Sequence, residues 1–185
     1  MDLIVDAISL VDYYDIESSL RAIGFKQGED DDGVICRWTI ENVILDLMPT
    51  DKAILGFSNP WYKSAYANAQ LTQLPNGLTV RHVTAPYFIA TKIEAFSGRG
   101  GGDFMMSHDM EDIVSVVDGR AELIGEISAC DEGLKSFVSN QFKVWQKNED
   151  FYDALSGHLP PDQASQARLP IIMKSIAQIS GLDAE

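Results

Sequence analysis

The pattern of apolar and polar positions changes along the chain, from short apolar runs in the first half to helical spacing in the second. Short runs that are rich in branched and aromatic residues and bounded by turn residues are typical of strands. They predict one strand and two hairpins: 2–5, 34–40 with 43–48, and 71–74 with 78–83. Helical spacing and start signals predict a helix that ends at Gly24, helices that begin near Pro60, Pro86 and Ser107, and only helices after residue 120. This order predicts an α+β fold, a mixed sheet flanked by helices, with a carboxyl-terminal helical region.

Several predicted elements have one apolar face. Two helices show it at helical spacing: Tyr13, Ile16, Leu20 and Ile23 in the first, and Ile89, Ile93 and Phe96 in the helix after Pro86. In the strand 43–48, Asp46 shares a face with Ile44 and Met48, because side chains alternate along a strand with a period of two. A carboxylate therefore interrupts an otherwise apolar strand.

Composition narrows the class of protein. The 185 residues include 28 Asp and Glu against 14 Lys and Arg, a formal net charge of −14. A surface this acidic repels a phosphate backbone, which argues against a protein that coats nucleic acid, although Mg²⁺ on carboxylates can still hold the phosphates of a nucleotide. With two cysteines, no signal-peptide pattern and no apolar run near the ~20 residues of a membrane helix, we expect a reduced cytoplasmic protein with no membrane partner.

Asp2 and Asp46 are the first candidates for a functional site, since both lie on predicted strands. A buried carboxylate is costly unless it is paired or bound to a metal ion. The alternative for Asp46 is a residue near the strand end that faces solvent. No G-x-S-x-G, H-E-x-x-H or Cys-x-x-Cys motif is present to indicate a serine hydrolase or a zinc site.

Two further charged pairs lie on predicted helices. Lys92 and Arg99, seven residues apart, share a helix face, which suits a polyphosphate or, alternatively, an ordinary solvated surface. Asp109 and Asp112 share a face of the next helix, where first-turn acids also complement the helix dipole.

Together these residues resemble the nucleotidyltransferase superfamily with the polymerase-β-like fold. The stretch PYFIATKIEAFSGRGGGDFMMSHDMEDIVSVVDGR is similar to the K-x-x-A-x-x-x-R, loop, x-D-x-x-D segment of the minimal nucleotidyltransferase and AbiEii-type toxin group. The stretch ICRWTIENVILDLMPTD is similar to the strand of that group's third catalytic aspartate. The resemblance extends to about residue 120, so we expect a nucleotidyltransferase-like domain at 1–119 and a helical region packed on it at 120–185.

The resemblance implies Mg²⁺-dependent transfer of a nucleoside monophosphate from a nucleoside triphosphate to a hydroxyl acceptor on a protein or an RNA. It also implies a toxin-like ancestry with an antitoxin as a partner. By this analogy Asp2 and Asp46 are catalytic, metal-binding carboxylates, and Lys92 and Arg99 are nucleotide-binding cations. Asp109 and Asp112 either orient those cations or hold the helix junction.

The family pattern places a Gly-Ser or Gly-Gly turn and a first catalytic aspartate just ahead of Asp2, where this chain begins. The sequence therefore leaves two functions open: an enzyme whose start lies upstream of Met1, and a non-catalytic binding or interaction module on the same scaffold. We expect the chain from Met1 to show no nucleotide transfer. We also expect a sheet edge exposed by the missing elements to favour either a homodimer or instability. For the metal site we expect the Asp2 and Asp46 carboxylates to approach within ~4–6 Å of each other.

Overall fold

The computed structural model describes residues 1–28, 35–99 and 101–182. The α+β fold is confirmed: 54% of the described residues are helical, and they include a mixed four-stranded sheet, a two-stranded sheet and a carboxyl-terminal helical region. The chain divides into two compact units, Met1–Arg81 and His82–Glu185. The helices around Lys92 and Asp109 pack with the helices that follow them. The domain boundary after residue 119 that the resemblance implied stays a prediction.

The elements of the first unit are β1 (Asp2–Val5), α1 (Leu10–Ala22), β2 (Lys26–Gln27), β3 (Arg37–Ile40), β4 (Val43–Pro49), α2 (Lys52–Leu55), α3 (Tyr62–Ala67), β5 (Gln70–Gln73) and β6 (Thr79–His82), the last of which ends one residue beyond it. The second unit contains α4 (Ala85–Arg99), α5 (His108–Gly119), α6 (Leu123–Ser128), α7 (Glu132–Trp145), α8 (Glu149–Gly157), α9 (Gln163–Gln166) and α10 (Leu169–Ser180). The predicted strand 2–5 is confirmed, and both hairpins are confirmed with different ends. β3 begins at Arg37, and position 34 of its predicted range lies outside the described residues. The sequence analysis missed β2 and α2, which are too short to show a period.

The larger sheet has the strand order β1-β4-β3-β2. β1 lies at its edge, parallel to β4, whereas the other pairings are antiparallel. The tight turn between β3 and β4 is built by Glu41 and Asn42, and Glu41 adopts a positive φ of 50°. Because only two residues join these strands, counting outward from the turn gives their register.

One face of this sheet packs on α1 to form the core of the first unit. The buried core residues are Val5, Ala7, Tyr13, Leu20, Trp38, Leu45 and Leu47. The Tyr13 hydroxyl donates to the Leu47 carbonyl at 3.1 Å, which ties the helix to β4. The prediction that Ile23 belongs to the buried face of α1 is wrong: it caps the carboxyl end of the helix and is 67% exposed.

Aromatic side chains form the centre of the second unit. The predicted core face of α4 is confirmed, with Ile89, Ile93 and Phe96 all buried. Phe96 contacts Phe104 and Trp145 with ring centroids 5.0 and 5.5 Å apart. Phe104 lies between α4 and α5, so its burial anchors the segment that joins these helices.

Of two further predicted helix starts, the one at Ser107 is observed, whereas the one at Pro60 lies two residues too early, because α3 begins at Tyr62 with Trp61 as its N-cap. The Ser107 hydroxyl accepts the Met110 amide proton at the start of α5. Asn59 accepts from the Trp61 amide, just ahead of α3. Within the part of the chain that the structure describes, no helix has both the length and the apolar character needed to cross a membrane.

Candidate functional site

Three charged residues lie side by side across the larger sheet. Asp2 of β1 is the register partner of Asp46 of β4, and Asp46 is the register partner of Arg37 of β3. Register partners project from the same face of a sheet, and here that face is opposite the buried Leu45 and Leu47. We call Arg37, Asp46 and Asp2 the sheet row. The two carboxylates singled out in the sequence therefore occupy neighbouring strands on one face.

Within the sheet row, Asp46 forms a bidentate ion pair with Arg37. Arg37 Nε lies 2.8 Å from Asp46 Oδ1, and Arg37 Nη2 lies 2.9 Å from Oδ2. Parallel charge-assisted hydrogen bonds of this kind fix the plane of the carboxylate as well as its position. The side chains of Arg37 and Asp46 are 32% and 21% exposed, so the pair is partly open to solvent.

The sequence analysis missed Arg37, although the signal was present. With Glu41 and Asn42 as the turn, the hairpin register pairs 40 with 43 and, continuing outward, 37 with 46. That count places a cation beside the one carboxylate that interrupts the strand.

Cys36 precedes Arg37 and is almost completely buried. Burial raises the pKa of its thiol, and the negative charge of Asp46 raises it further. The group is therefore a neutral thiol at physiological pH, and a nucleophilic role does not fit it.

The second group of candidates forms a cluster in the helical unit. Lys92 Nζ on α4 lies 2.5 Å from Asp112 Oδ2 and 3.2 Å from Asp109 Oδ1, both on α5. We call these three residues the helix cluster. The Lys92 and Asp109 side chains are only 15% and 7% exposed, whereas Asp112 is 45% exposed.

The electrostatics of the helix cluster favour a charged lysine. Burial alone would lower the pKa of Lys92, but the hydrogen bonds and negative charges of Asp112 and Asp109 outweigh it, and the pKa is raised above its usual value. The ammonium therefore already has two anionic partners. A phosphate group that binds Lys92 has to share it with them.

Arg99 is the last residue of α4, and its side chain lies outside the described residues. Its predicted role as a nucleotide-binding cation beside Lys92 stays a prediction. The predicted sites also divide between the two units: Asp2 and Asp46 belong to the first, and Lys92, Asp109 and Asp112 belong to the second.

The second unit also contains an open cleft that the sequence did not indicate. Its volume is about 430 Å³, and its lining includes Met105, Met106, His108, Glu111 and His158. The His158 Nε2 atom lies 2.6 Å from the carbonyl oxygen of Phe104, so one ring nitrogen supports the segment between α4 and α5.

The sheet row contains the donor atoms that Mg²⁺ prefers. Mg²⁺ is commonly held by one or two carboxylates, with waters and substrate phosphates completing its shell. Two aspartates on one face fit that pattern, and a carboxylate that accepts from Arg37 keeps further lone pairs on the same oxygens. Among the described residues, no group of three or more His, Cys, Asp or Glu side chains is placed to hold a metal ion.

No family model, no curated protein and no solved structure matches this chain. The resemblance to nucleotidyltransferases therefore rests only on the residues and motifs of this sequence that are quoted above.

Proposed function

We propose that the protein is a member of the nucleotidyltransferase superfamily and binds a nucleoside triphosphate with Mg²⁺. Transfer of the nucleoside monophosphate to a hydroxyl acceptor is the reaction that the resemblance implies, and it also needs the first catalytic aspartate that the family pattern places ahead of Asp2. One observation supports the proposed binding most directly: Asp2 and Asp46 are register partners on neighbouring strands and project from the same face. Like charges directly opposite each other on neighbouring strands destabilise a sheet unless a cation shares them. Arg37 is one such cation, and the Mg²⁺ ion of a magnesium–nucleotide complex would be the second in this proposal.

In this function the chain positions the reactants. A bound Mg²⁺ would supply charge neutralisation for the triphosphate and a Lewis acid for the attacking oxygen. Asp2 and Asp46 would hold the metal, and Arg37 keeps the Asp46 carboxylate in a fixed plane. The sheet beneath them is rigid because its other face is the core of the unit.

The helix cluster belongs to the other unit, and for it, taken by itself, we propose the phosphate contact that the resemblance gives to Lys92. Asp109 and Asp112 hold the Lys92 ammonium in one place between α4 and α5. A phosphate that approaches the more exposed side of this cluster meets a lysine whose position is already fixed, which lowers the entropy lost on binding. The acceptor is a hydroxyl group of a protein or an RNA, and an antitoxin is the regulatory partner that the resemblance suggests.

The test measures Mg²⁺-dependent triphosphate binding by calorimetry and transfer of labelled monophosphate, with all four nucleotides and a cell lysate as the source of acceptors. Asp46→Asn should weaken binding by at least about tenfold, because removing one positioned charged group from such a site commonly costs that much or more. Asp153→Asn is the matched control, since Asp153 is an exposed aspartate on α8 and the charge change is identical. Equal binding by Asp46→Asn and the wild type would contradict the proposal.

A second candidate is a non-catalytic binding or interaction module on the same scaffold. The observation that favours it is the Arg37–Asp46 ion pair, which already engages both oxygens of the central carboxylate. In that case Asp46→Asn lowers stability, and neither the wild type nor the variant binds a triphosphate in a Mg²⁺-dependent way.

A further inference from the structure

We propose that Met105 is an oxidation site, and that its conversion to the sulfoxide by a peroxide loosens the segment 103–107 ahead of α5. Met105 belongs to the second unit, so the site is independent of the sheet row and of the function proposed for it. Neither the sequence pattern nor the resemblance singles this residue out.

The segment 103–107 is anchored on both sides of the Met105 side chain. The Asp103 carboxylate accepts the backbone amide protons of Met105 and Met106, each at 3.0 Å. The Phe104 ring is buried, and its carbonyl oxygen lies 2.6 Å from His158 Nε2. Because a carbonyl oxygen can only accept, His158 donates this hydrogen bond. These bonds fix the backbone from which Met105 projects.

The Met105 thioether packs against Gly157, the last residue of α8. A Cβ atom at position 157 would overlap the Met105 sulfur and would lie 3.2 Å from the methyl carbon of the same side chain. The contact therefore exists only because residue 157 has no side chain. It holds the segment 103–107 against the end of α8, next to the hydrogen bond from His158.

The Met105 side chain is also open to small oxidants. Met105 is 47% exposed and lines the open cleft of about 430 Å³, whereas Met110 on α5 is completely buried. The thioether sulfur attacks one oxygen of hydrogen peroxide, the O–O bond breaks, and hydroxide leaves and takes up the remaining proton to become water. The sulfur is oxidised by two electrons and the peroxide is reduced.

The sulfoxide does not fit the contact with Gly157. Oxidation adds an oxygen to the atom that already fills the space above the glycine, and it converts an apolar group into a polar one that prefers water. The side chain then has to leave Gly157, and the hydrogen bonds on either side of it lose the packing that connects them. The segment opens more often as a local unfolding event, while the rest of the unit stays folded.

Met106 separates this effect from general oxidative damage. It follows Met105 directly in the chain and is 77% exposed, so the same peroxide reaches it. If oxidation of any exposed methionine destabilised the segment, replacing either residue would reduce the response to peroxide equally. The contact with Gly157 instead requires that the response depends on Met105.

The experiment is hydrogen exchange of the full chain before and after treatment with hydrogen peroxide, with the sulfoxide at each methionine quantified by mass spectrometry. Peptides that span 103–107 should exchange about tenfold faster after oxidation, and should return to the initial rate after treatment with methionine sulfoxide reductase and a thiol reductant. Met105→Leu should remove this response, and Met106→Leu should keep it.

Gly157→Ala should reproduce the fast exchange without peroxide, because the added methyl group takes the place of the Met105 sulfur. Gly119→Ala is the matched control: Gly119 is also the last residue of its helix, and a Cβ atom there meets no described atom within 4 Å. An unchanged peroxide response in Met105→Leu, or equal exchange rates in the two alanine variants, overturns the proposal. If Gly157→Ala does not fold, the comparison of Met105→Leu with Met106→Leu decides alone.

Discussion

The two units use the same set of charges, one cation and two aspartates, in opposite surroundings. In the sheet row the charges lie on an open sheet face, with Asp2 exposed and Arg37 and Asp46 partly exposed. In the helix cluster Lys92 and Asp109 are nearly buried between α4 and α5, and only Asp112 reaches well into solvent.

This difference separates a group that can exchange partners from one that mainly holds the structure together. A partly exposed ion pair contributes little stability, because water competes for both partners. A buried one is costly to break, because removal of one partner leaves a charge without compensation. The sheet row is therefore suited to ligand exchange, and the helix cluster is suited to fixing α4 against α5.

The largest expected effect on the free energy of unfolding comes from breaking the helix cluster. Lys92→Met should lower the free energy of unfolding by about 3–5 kcal/mol, because it leaves the buried Asp109 carboxylate without its ammonium partner. Urea denaturation followed by circular dichroism measures the change. The double variant Lys92→Met/Asp109→Asn removes both charges and should recover most of the loss. A loss below about 1 kcal/mol for the single variant would show that the cluster behaves like a surface pair.

A smaller effect concerns the sheet unit at high pH. Burial raises the pKa of Tyr13 well above its usual value, with nearby Cys36 and Glu17 adding to the shift. Because the folded-state pKa lies above the unfolded value near 10, the contribution of Tyr13 to stability is complete below pH 10 and is lost as the pH rises further.

Tyr13→Phe should therefore cost about 1 kcal/mol at neutral pH, through the hydrogen bond to the Leu47 carbonyl, and should make the loss of stability above pH 10 less steep. Hydrogen exchange of β4 peptides between pH 7 and 11, corrected for the intrinsic rate, resolves the effect in this unit. An unchanged alkaline slope would contradict the assignment to Tyr13.

The third prediction tests the stability of the sheet row itself. Arg37→Gln should lower the free energy of unfolding by no more than about 1 kcal/mol, since the pair it breaks is partly screened by solvent. The same urea titration used for Lys92→Met measures it. A cost equal to that of Lys92→Met would remove the distinction drawn between the two clusters.

The smallest expected effect lies at Ser139 on α7. This hydroxyl is fully buried and, among the described residues, has no hydrogen-bond partner. Ser139→Ala should leave the free energy of unfolding unchanged or slightly raised, because it removes a desolvated polar group. Ser180→Ala is the control: its buried hydroxyl donates to the Ala177 carbonyl at 2.9 Å, and the change should cost about 0.5–1 kcal/mol. Equal costs would indicate a hidden partner for Ser139.

Local spacing predicted most of the elements near the candidate sites. The strand 2–5, the hairpin around Glu41 and Asn42, and the apolar face of α4 all follow from the sequence because their periods depend on the backbone alone. The prediction that Ile23 belongs to the apolar face of α1 was wrong, because the helical period of the sequence continues past Ala22, the last helical residue. At Ile23 the chain already turns away from the core.

The sequence alone determined that Asp46 shares a strand face with Met48 and, through the two-residue turn, that Arg37 lies beside it. It did not determine that Asp2 is the other neighbour, since a parallel pairing depends on a long connection whose path only tertiary packing decides. Nor did it determine that Lys92 meets Asp109 and Asp112: these residues are 17 and 20 positions apart, on two helices whose contact is set by the aromatic core around Phe104. Residue spacing determines which side chains share a face of a helix or a strand. The ion-pair partners of a charged side chain on other elements depend on which surfaces the core brings together.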